Sequence, residues 1–573
     1  MLPLISVAIP DVADALRAPD RQTRRRAVRW GRAIAIAAGA VAIAAIAFVY
    51  RFNTPEGSLG GFTNDQFAHL MRAEMILRGQ QPLRDFRDAE LRGAWPALSY
   101  AVPAWAQELG GRTLLPEAWL TLGAIAIAHA LVFPIALTLS GQWWLALLAA
   151  AAAILTAPRA YSYPKVLMLA LGIAALRFSM LRPSALALGL AAVVTAIATL
   201  FRHDCGVYVA VGMIVGLIGL GGDARIISRR VGLYSGFTAL CLLPSAIWVQ
   251  VYEGIPSYIR SSLVTAAREA TRTKIELPAL WGFTPATSEW LVGLTYYAFW
   301  MVLLIAAVVL AIRAFDYESP LSAAERGTAL GLLATAILAN YFLLRGSLSQ
   351  RLGDAAIPVV ALAAWTAGSA SWRASPVVRR LITAVPVALL LAISAAAASY
   401  GELGRRLDQS GLTQSWQSAA ERFAAVSDSL RRLPPNNWAG FEREQWLPQA
   451  ARYVAECTTP DDYLLVAAEA PEIHVFAHRR FAAGQAALAM GLYTSEDDQQ
   501  RALARLSGQS VPIVLADASR FQSEFIWSYP LLARYISDHY REAGTIDDRF
   551  LVFVDASRMP RRADPLSGLP CFM

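Results

Sequence analysis

Eleven apolar stretches, nearly free of charge, constrain this chain more than any other feature. They are residues 33–50, 118–139, 143–157, 166–180, 184–200, 207–220, 231–251, 291–312, 329–344, 355–370 and 381–399. A helix rises 1.5 Å per residue, so such runs are suited to crossing most or all of a ~30 Å hydrocarbon core. Only 16% of the 573 residues are charged, against roughly 25% in soluble domains. The expected fold class is therefore an α-helical polytopic membrane protein of about eleven spans.

The charges between these runs predict an orientation. Arg21, Arg24, Arg25, Arg26, Arg29 and Arg32 directly precede the first run and read as a cytoplasmic anchor. With residues 1–32 inside, the loops 177–182, 223–230, 313–326 and 373–380 also fall inside, and all are arginine-rich. Residues 51–117, 158–165, 202–206, 252–290, 345–354 and 400–573 then lie outside. The first run lacks small residues at a cleavage site, so it reads as a retained span rather than a signal peptide. The net charge of +8 belongs to this topology signal and gives no reason to expect nucleic-acid binding.

Residues 400–573 change character. The segments 462–467, 511–516 and 550–555 read as buried strands, with helices at 499–506 and 529–540. This pattern predicts a small α/β domain with a largely parallel sheet. No G-x-G-x-x-G follows a strand, so no nucleotide site is expected there, and its simplest role is a scaffold or lid. Cys205, Cys241, Cys457 and Cys571 show neither zinc spacing nor a disulfide framework. The expected division is a basic tail at 1–32, a membrane domain at 33–399 with a large outer loop at 51–117, and an outer domain at 400–573.

The most polar stretch, 63–90, follows the first span directly. Thr63-Asn64-Asp65-Gln66 fits a capping box, and Gly79 is a common helix stop, predicting a helix over 64–78. Asp65, His69 and Arg72 then share one face, while Leu70, Met71, Ile76 and Leu77 can face the membrane surface. A first-turn aspartate also stabilises a helix by about 0.3–1 kcal/mol, so Asp65 has a structural reading beside a catalytic one. Asp85, Asp88 and Glu90 can accept sugar hydroxyls or hold an oxygen-ligated divalent cation. They can equally pair with Arg84, Arg87 and Arg92.

An acidic residue opening a helix after the first span, a helix closed by Gly79, then Pro82-Leu83-Arg84-Asp85-Phe86, resembles the GT-C glycosyltransferases. More narrowly it resembles bacterial relatives of protein mannosyltransferases and of aminoarabinose lipid A transferases. Asn64-Asp65 stands where that group commonly has Asp-Glu, and residues 93–100 resemble its G-x-x-P-L segment. Arg351-x-x-Asp354 before an apolar run also resembles bacterial GT-C proteins. No D-x-D of the oligosaccharyltransferase kind lies near Asp65.

The resemblance implies transfer of a sugar, with inversion, from a polyprenyl-phosphate donor to an envelope lipid, glycan or protein. Asp65 would be the general base. Asn64, His69, Arg72, Asp85, Asp88 and Glu90 would shape the sugar or acceptor site. Lys165, Arg202, His203, Arg268, Arg272, Lys274 and Arg351 would hold the lipid phosphate, a role that suits guanidinium forks and ammonium charges. It places the chain in a bacterial inner membrane with its C-terminal domain in the periplasm. Interfacial snorkelling is the structural alternative for each cation. Two other functions fit the composition, a flippase of lipid-linked saccharides and a non-enzymatic subunit of an envelope-polymer machine. His129 reads as a hydrogen-bonded core histidine, and His539 as surface. His474 and His478 lack the glutamate of a zinc motif.

Overall fold

In the computed structural model, the described residues are 21–54, 61–86, 96, 98–156, 159–272, 277–279, 288–314, 320–345, 348–369, 376–433, 446–486, 488 and 492–573. The membrane domain begins with α1 (Arg21–Phe52), α2 (Asn64–Leu77), α3 (Leu98–Gly110), α4 (Leu114–Ser140), α5 (Trp143–Leu155) and α6 (Tyr163–Leu181). It continues with α7 (Ala185–Phe201), α8 (His203–Gly219), α9 (Ala224–Tyr252) and α10 (Ile255–Arg272). It closes with α11 (Ser288–Ala314), α12 (Ala323–Tyr341), α13 (Leu348–Gly368) and α14 (Pro376–Tyr400).

Over the described residues, each of the eleven apolar stretches coincides with one of these helices to within a few residues at its ends. Among the described residues, seven helices (α1, α4, α6, α9, α11, α12 and α14) are long and apolar enough to cross a membrane. The chain is a multi-pass membrane protein. The expectation of eleven spans is met by these seven only. Helices α5, α7 and α8 have 13, 17 and 17 residues, which is short for a ~30 Å core. Helix α13 carries Arg351 and Asp354 and is buried along nearly its whole length.

The loop arginines expected inside gather at one end of the bundle. Arg177 donates to the Thr138 carbonyl, Arg230 to Gly221, Arg313 to Ser369 and Arg326 to Gly219. These carbonyls lie at or just beyond helix C-termini, where cations offset the macrodipole. Lys165 and Arg202 sit at the other ends of their helices. His129, expected to be hydrogen-bonded in the bundle, is buried on α4, and its Nδ1 has no partner among the described residues.

Helices α15 (Leu403–Ser410) and α16 (Trp416–Leu430) clamp the end of α1: Asn53 Nδ2 donates to the Ser410 carbonyl at 2.9 Å and the Ala419 carbonyl at 2.8 Å. The α/β domain follows as α17 (Trp446–Cys457), β1 (Tyr463–Ala467), α18 (Pro471–Ala477), β2 (Arg480–Phe481), α19 (Glu496–Leu506), β3 (Ile513–Asp517), α20 (Pro530–His539), β4 (Tyr540–Ile546) and β5 (Phe550–Asp555). The sheet order is β2-β1-β3-β5-β4. Strand β1 is parallel to β2 and β3, but β5 is antiparallel to both β3 and β4. The sheet is thus mixed rather than largely parallel. Asp547 and Asp548 adopt φ of 50° and 51°, a left-handed turn that reverses the chain into a β4–β5 hairpin.

The cysteine expectation is corrected in one respect. Cys457 and Cys571 form a disulfide across 114 residues, pinning the C-terminal tail to α17. Arg452 adds two 2.9 Å bonds to Asp564 on the same tail. Its hydrogen bonds hold the Asp564 carboxyl well below the usual range. The spacing hid the pair because the two cysteines meet only through the fold.

The tightest helix contact joins α8 to α12. Gly212, Gly216 and Gly219 face Gly327 and Gly331, a small-residue seam that lets two backbones touch. A Cβ on Gly327 would lie 2.7 Å from the Gly216 carbonyl oxygen and 3.1 Å from the Leu220 nitrogen. Backbone atoms cannot rotate away. Gly327→Ala should therefore cost about 1–3 kcal/mol and lower the detergent-solubilised melting temperature. An unchanged melting temperature would mean the seam bears no load.

Candidate functional site

Helix α2 has the expected extent, with Arg78 at its C-cap and Gly79 at φ 81°. The capping box does not form. Thr63 is the N-cap residue but makes no side-chain cap bond. Gln66 turns inward instead and donates to Glu117 Oε1 at 3.4 Å. A buried carboxylate on α4 outcompetes the local cap because the exposed backbone of α2's first turn can be solvated by water and Glu117 cannot.

The two long faces of α2 are both covered. His69 Nδ1–H donates to the Ser99 carbonyl at 3.3 Å, and Arg72 stacks over the Tyr100 ring at 5.1 Å. These fasten α2 to α3, and the Ser99 hydroxyl in turn donates to the Phe201 carbonyl. On the other face Phe67, Leu70 and Met71 are buried with Val475, Phe476 and Phe481 of the α/β domain. Leu70 and Met71 therefore meet protein, not the membrane surface expected from their pattern.

Asp65 is exposed at the start of this helix, while His69 and Arg72 are 5% and 3% exposed. The three share a helical side, but of them only Asp65 is exposed. Among the described residues its carboxylate has no hydrogen bond or ion pair. It lines a small cavity of about 40 Å³ with Asn64, Arg72, Glu469, Pro471 and Tyr493.

Tyr161 links Asp65 to a group of cations. Tyr161 lies within electrostatic reach of Asp65, Arg159, Asp354 and Arg351, and Arg202 within reach of Asp204, Asp354 and Tyr161. Lys165 Nζ bonds Asp354 Oδ2 at 2.8 Å, with side chains 18% and 4% exposed. Arg202 grips Asp204 through two 2.9 Å bonds. Arg159 stacks on Tyr161 at 4.3 Å and donates to Gln350 at 3.0 Å. His203 Nε2 meets the Tyr258 hydroxyl at 3.2 Å, tying α10 to the cluster.

Sequence reasoning singled out Lys165, Arg202, His203, Arg351 and Asp354, and the fold brings them together. It passed over Tyr161 and Arg159; their signal was an Arg-x-Tyr beside Lys165. Asp85 is spent locally. It accepts from the Gln81 backbone at 2.6 Å and from Arg84 at 2.7 Å, the simple Asp–Arg pairing. Its turn is held to α9 by Trp248 Nε1 donating to the Pro82 carbonyl at 3.0 Å. Arg268 and Arg272 lie on α10. Asp88, Glu90 and Lys274 lie outside the described residues.

Two solved structures are similar to the chain: ArnT, an aminoarabinose transferase from Cupriavidus metallidurans, in the apo state and bound to undecaprenyl phosphate. Each has 14% sequence identity and a TM-score of 0.47, over 92% of this chain and 98% of its own. No protein family and no curated protein matches the sequence.

Burial, and then the nearby Arg72 charge, lowers the His69 pKa from 6.5 to about 3. Burial does the same to His474. Between about pH 6.5 and 3 the unfolded chain binds protons that the folded chain refuses. Stability from these two groups is complete above that window and falls as pH drops through it. Melting temperature measured from pH 8 to 4 should decline on the acid side, with a shallower decline in His474→Gln; an identical slope in that variant would count against this assignment. The Lys165–Asp354 pair gives a second test. Lys165→Ala leaves Asp354 buried and unpaired, at a cost of about 3–5 kcal/mol. Lys165→Met combined with Asp354→Leu should recover most of that loss, as a thermal double-mutant cycle would reveal.

Proposed function

We propose that the protein is a membrane glycosyltransferase of the GT-C kind that uses a polyprenyl-phosphate sugar. The observation that carries the reading is one open carboxylate, Asp65, beside a cluster of guanidinium and ammonium groups at one end of an apolar bundle. A lipid-linked sugar phosphate needs those three elements together. The bundle solvates the polyprenyl chain, the cations take the phosphate, and the carboxylate addresses the incoming nucleophile.

In the proposed step Asp65 accepts the proton of an acceptor hydroxyl as that oxygen bonds to the anomeric carbon. The carbon–oxygen bond to phosphate breaks on the opposite face, and its electron pair leaves with the polyprenyl phosphate. The sugar carbon inverts. Arg351 and Arg202 would stabilise the departing phosphate, an effect worth about 3–4 kcal/mol per well-placed donor. Lys165 and Asp204 act at one remove: Lys165 holds Asp354 near Arg202, and Asp204 fixes the plane of the Arg202 fork. His69, neutral and bonded to Ser99, positions α2 rather than touching substrate. The acceptor-binding role of Asn64 fits its exposure beside Asp65.

The Cys457–Cys571 disulfide supports a C-terminal domain in an oxidising compartment. Together with the loop arginines at the opposite end, it favours a periplasmic site in a bacterial inner membrane, with a cytoplasmic N-terminus. A flippase would place charges near the bilayer midplane, whereas this cluster forms at the helix ends.

Asp65→Asn should keep folding and donor-lipid binding but lower transfer from a purified polyprenyl-phosphate sugar by about 10²–10⁴-fold. Wild-type turnover in that variant would remove Asp65 as the base. Wild-type protein that moves labelled lipid between leaflets without transferring sugar would establish the flippase instead.

A further inference from the structure

The α/β domain contains a cavity that the lid or scaffold reading leaves unused. It has a volume of about 240 Å³ and is bounded by the chain after β1, the end of β3 and the start of β5. Strand β1 lies between β2 and β3 and is parallel to both. The connection leaving β1 runs to β2 on one side and that leaving β3 runs to β4 on the other, so the two diverge between β1 and β3. Open α/β sheets form ligand crevices outside the carboxyl ends of strands at such a switch point.

The wall chemistry is specific. Asp517, at the end of β3, pairs with Arg549 at 3.1 Å and accepts from Ser519 through backbone and hydroxyl. Arg520 and Glu524 approach to 4.0 Å one helical turn apart. Glu469 completes the polar wall, and Phe550 gives an apolar side. Three carboxylates against two guanidiniums disfavour a phosphate-bearing ligand. Adjacent acceptor and donor groups beside an aromatic ring suit sugars, whose vicinal hydroxyls donate and accept together over an apolar ring face.

Asn64 and Glu469 line both this cavity and the small one at Asp65. Lys165, Arg202 and Arg351 line neither cavity. We infer that the cavity at the carboxyl ends of β1 and β3 is a saccharide-binding subsite that presents a hydroxyl-rich, uncharged glycan acceptor to Asp65. The acceptor role rests on the glycosyltransferase reading; saccharide binding does not.

The test uses the full chain in detergent micelles and, as probe, neutral oligosaccharides released from cell envelopes by mild acid, with binding read by saturation-transfer NMR. Wild type and Asp65→Asn should bind alike. Arg520→Ala with Glu524→Ala, the first exposed and the second half-buried at the rim, should weaken binding by about tenfold or more and leave polyprenyl-phosphate binding unchanged. Equal oligosaccharide affinity in that double variant, or no binding by wild type, overturns the subsite. Should wild type bind the oligosaccharides yet transfer no sugar from any polyprenyl-phosphate donor, the subsite stands and the glycosyltransferase reading falls.

Discussion

Helix α2 is buried between two partners of opposite character, and the candidate site depends on that sandwich. Its polar side bonds to the membrane domain through Gln66–Glu117 and His69–Ser99. Its apolar side packs Phe67 edge-on to Phe476, with ring centroids 5.1 Å apart. An aromatic pair of this kind adds about 0.5–1.5 kcal/mol beyond its buried area. With both faces held, the first turn cannot roll, and Asp65 stays at the seam between bundle and α/β domain. Losing either partner would free the other face and move the carboxylate.

The cations are fixed by a different principle. A charge at the end of an apolar bundle is tolerated when a counter-charge shares its burial. Asp354 performs that service for Lys165, and Asp204 for Arg202. The glycine seam between α8 and α12 brings Arg202, at the start of α8, to a set height against its neighbours.

Much of this was legible in the chain. The apolar runs marked the helices because a bilayer demands continuous apolarity, and the arginine loops marked one end of the bundle. Gly79 marked the end of α2 because few other residues accept its backbone angles. The capping box failed because Gln66 had a buried carboxylate to satisfy that local sequence cannot reveal. Leu70 and Met71 failed because helical periodicity shows that a face is apolar, not what covers it. The parallel-sheet expectation failed at a two-aspartate turn, where the alternation of strands and helices ends in a hairpin.

The sequence by itself determined a helical membrane domain, a C-terminal α/β region, an acidic residue opening α2, and some of the charged residues that the fold gathers, among them Lys165, Arg202 and Asp354. These are properties of periodicity, charge and chain neighbours. The tertiary structure alone decided which charges neutralise one another, that Cys457 meets Cys571, and that the crevice after β1 and β3 opens beside Asn64. Such contacts join residues tens to hundreds of positions apart. Their energies exist only when folding brings the partners together, so no local pattern records them.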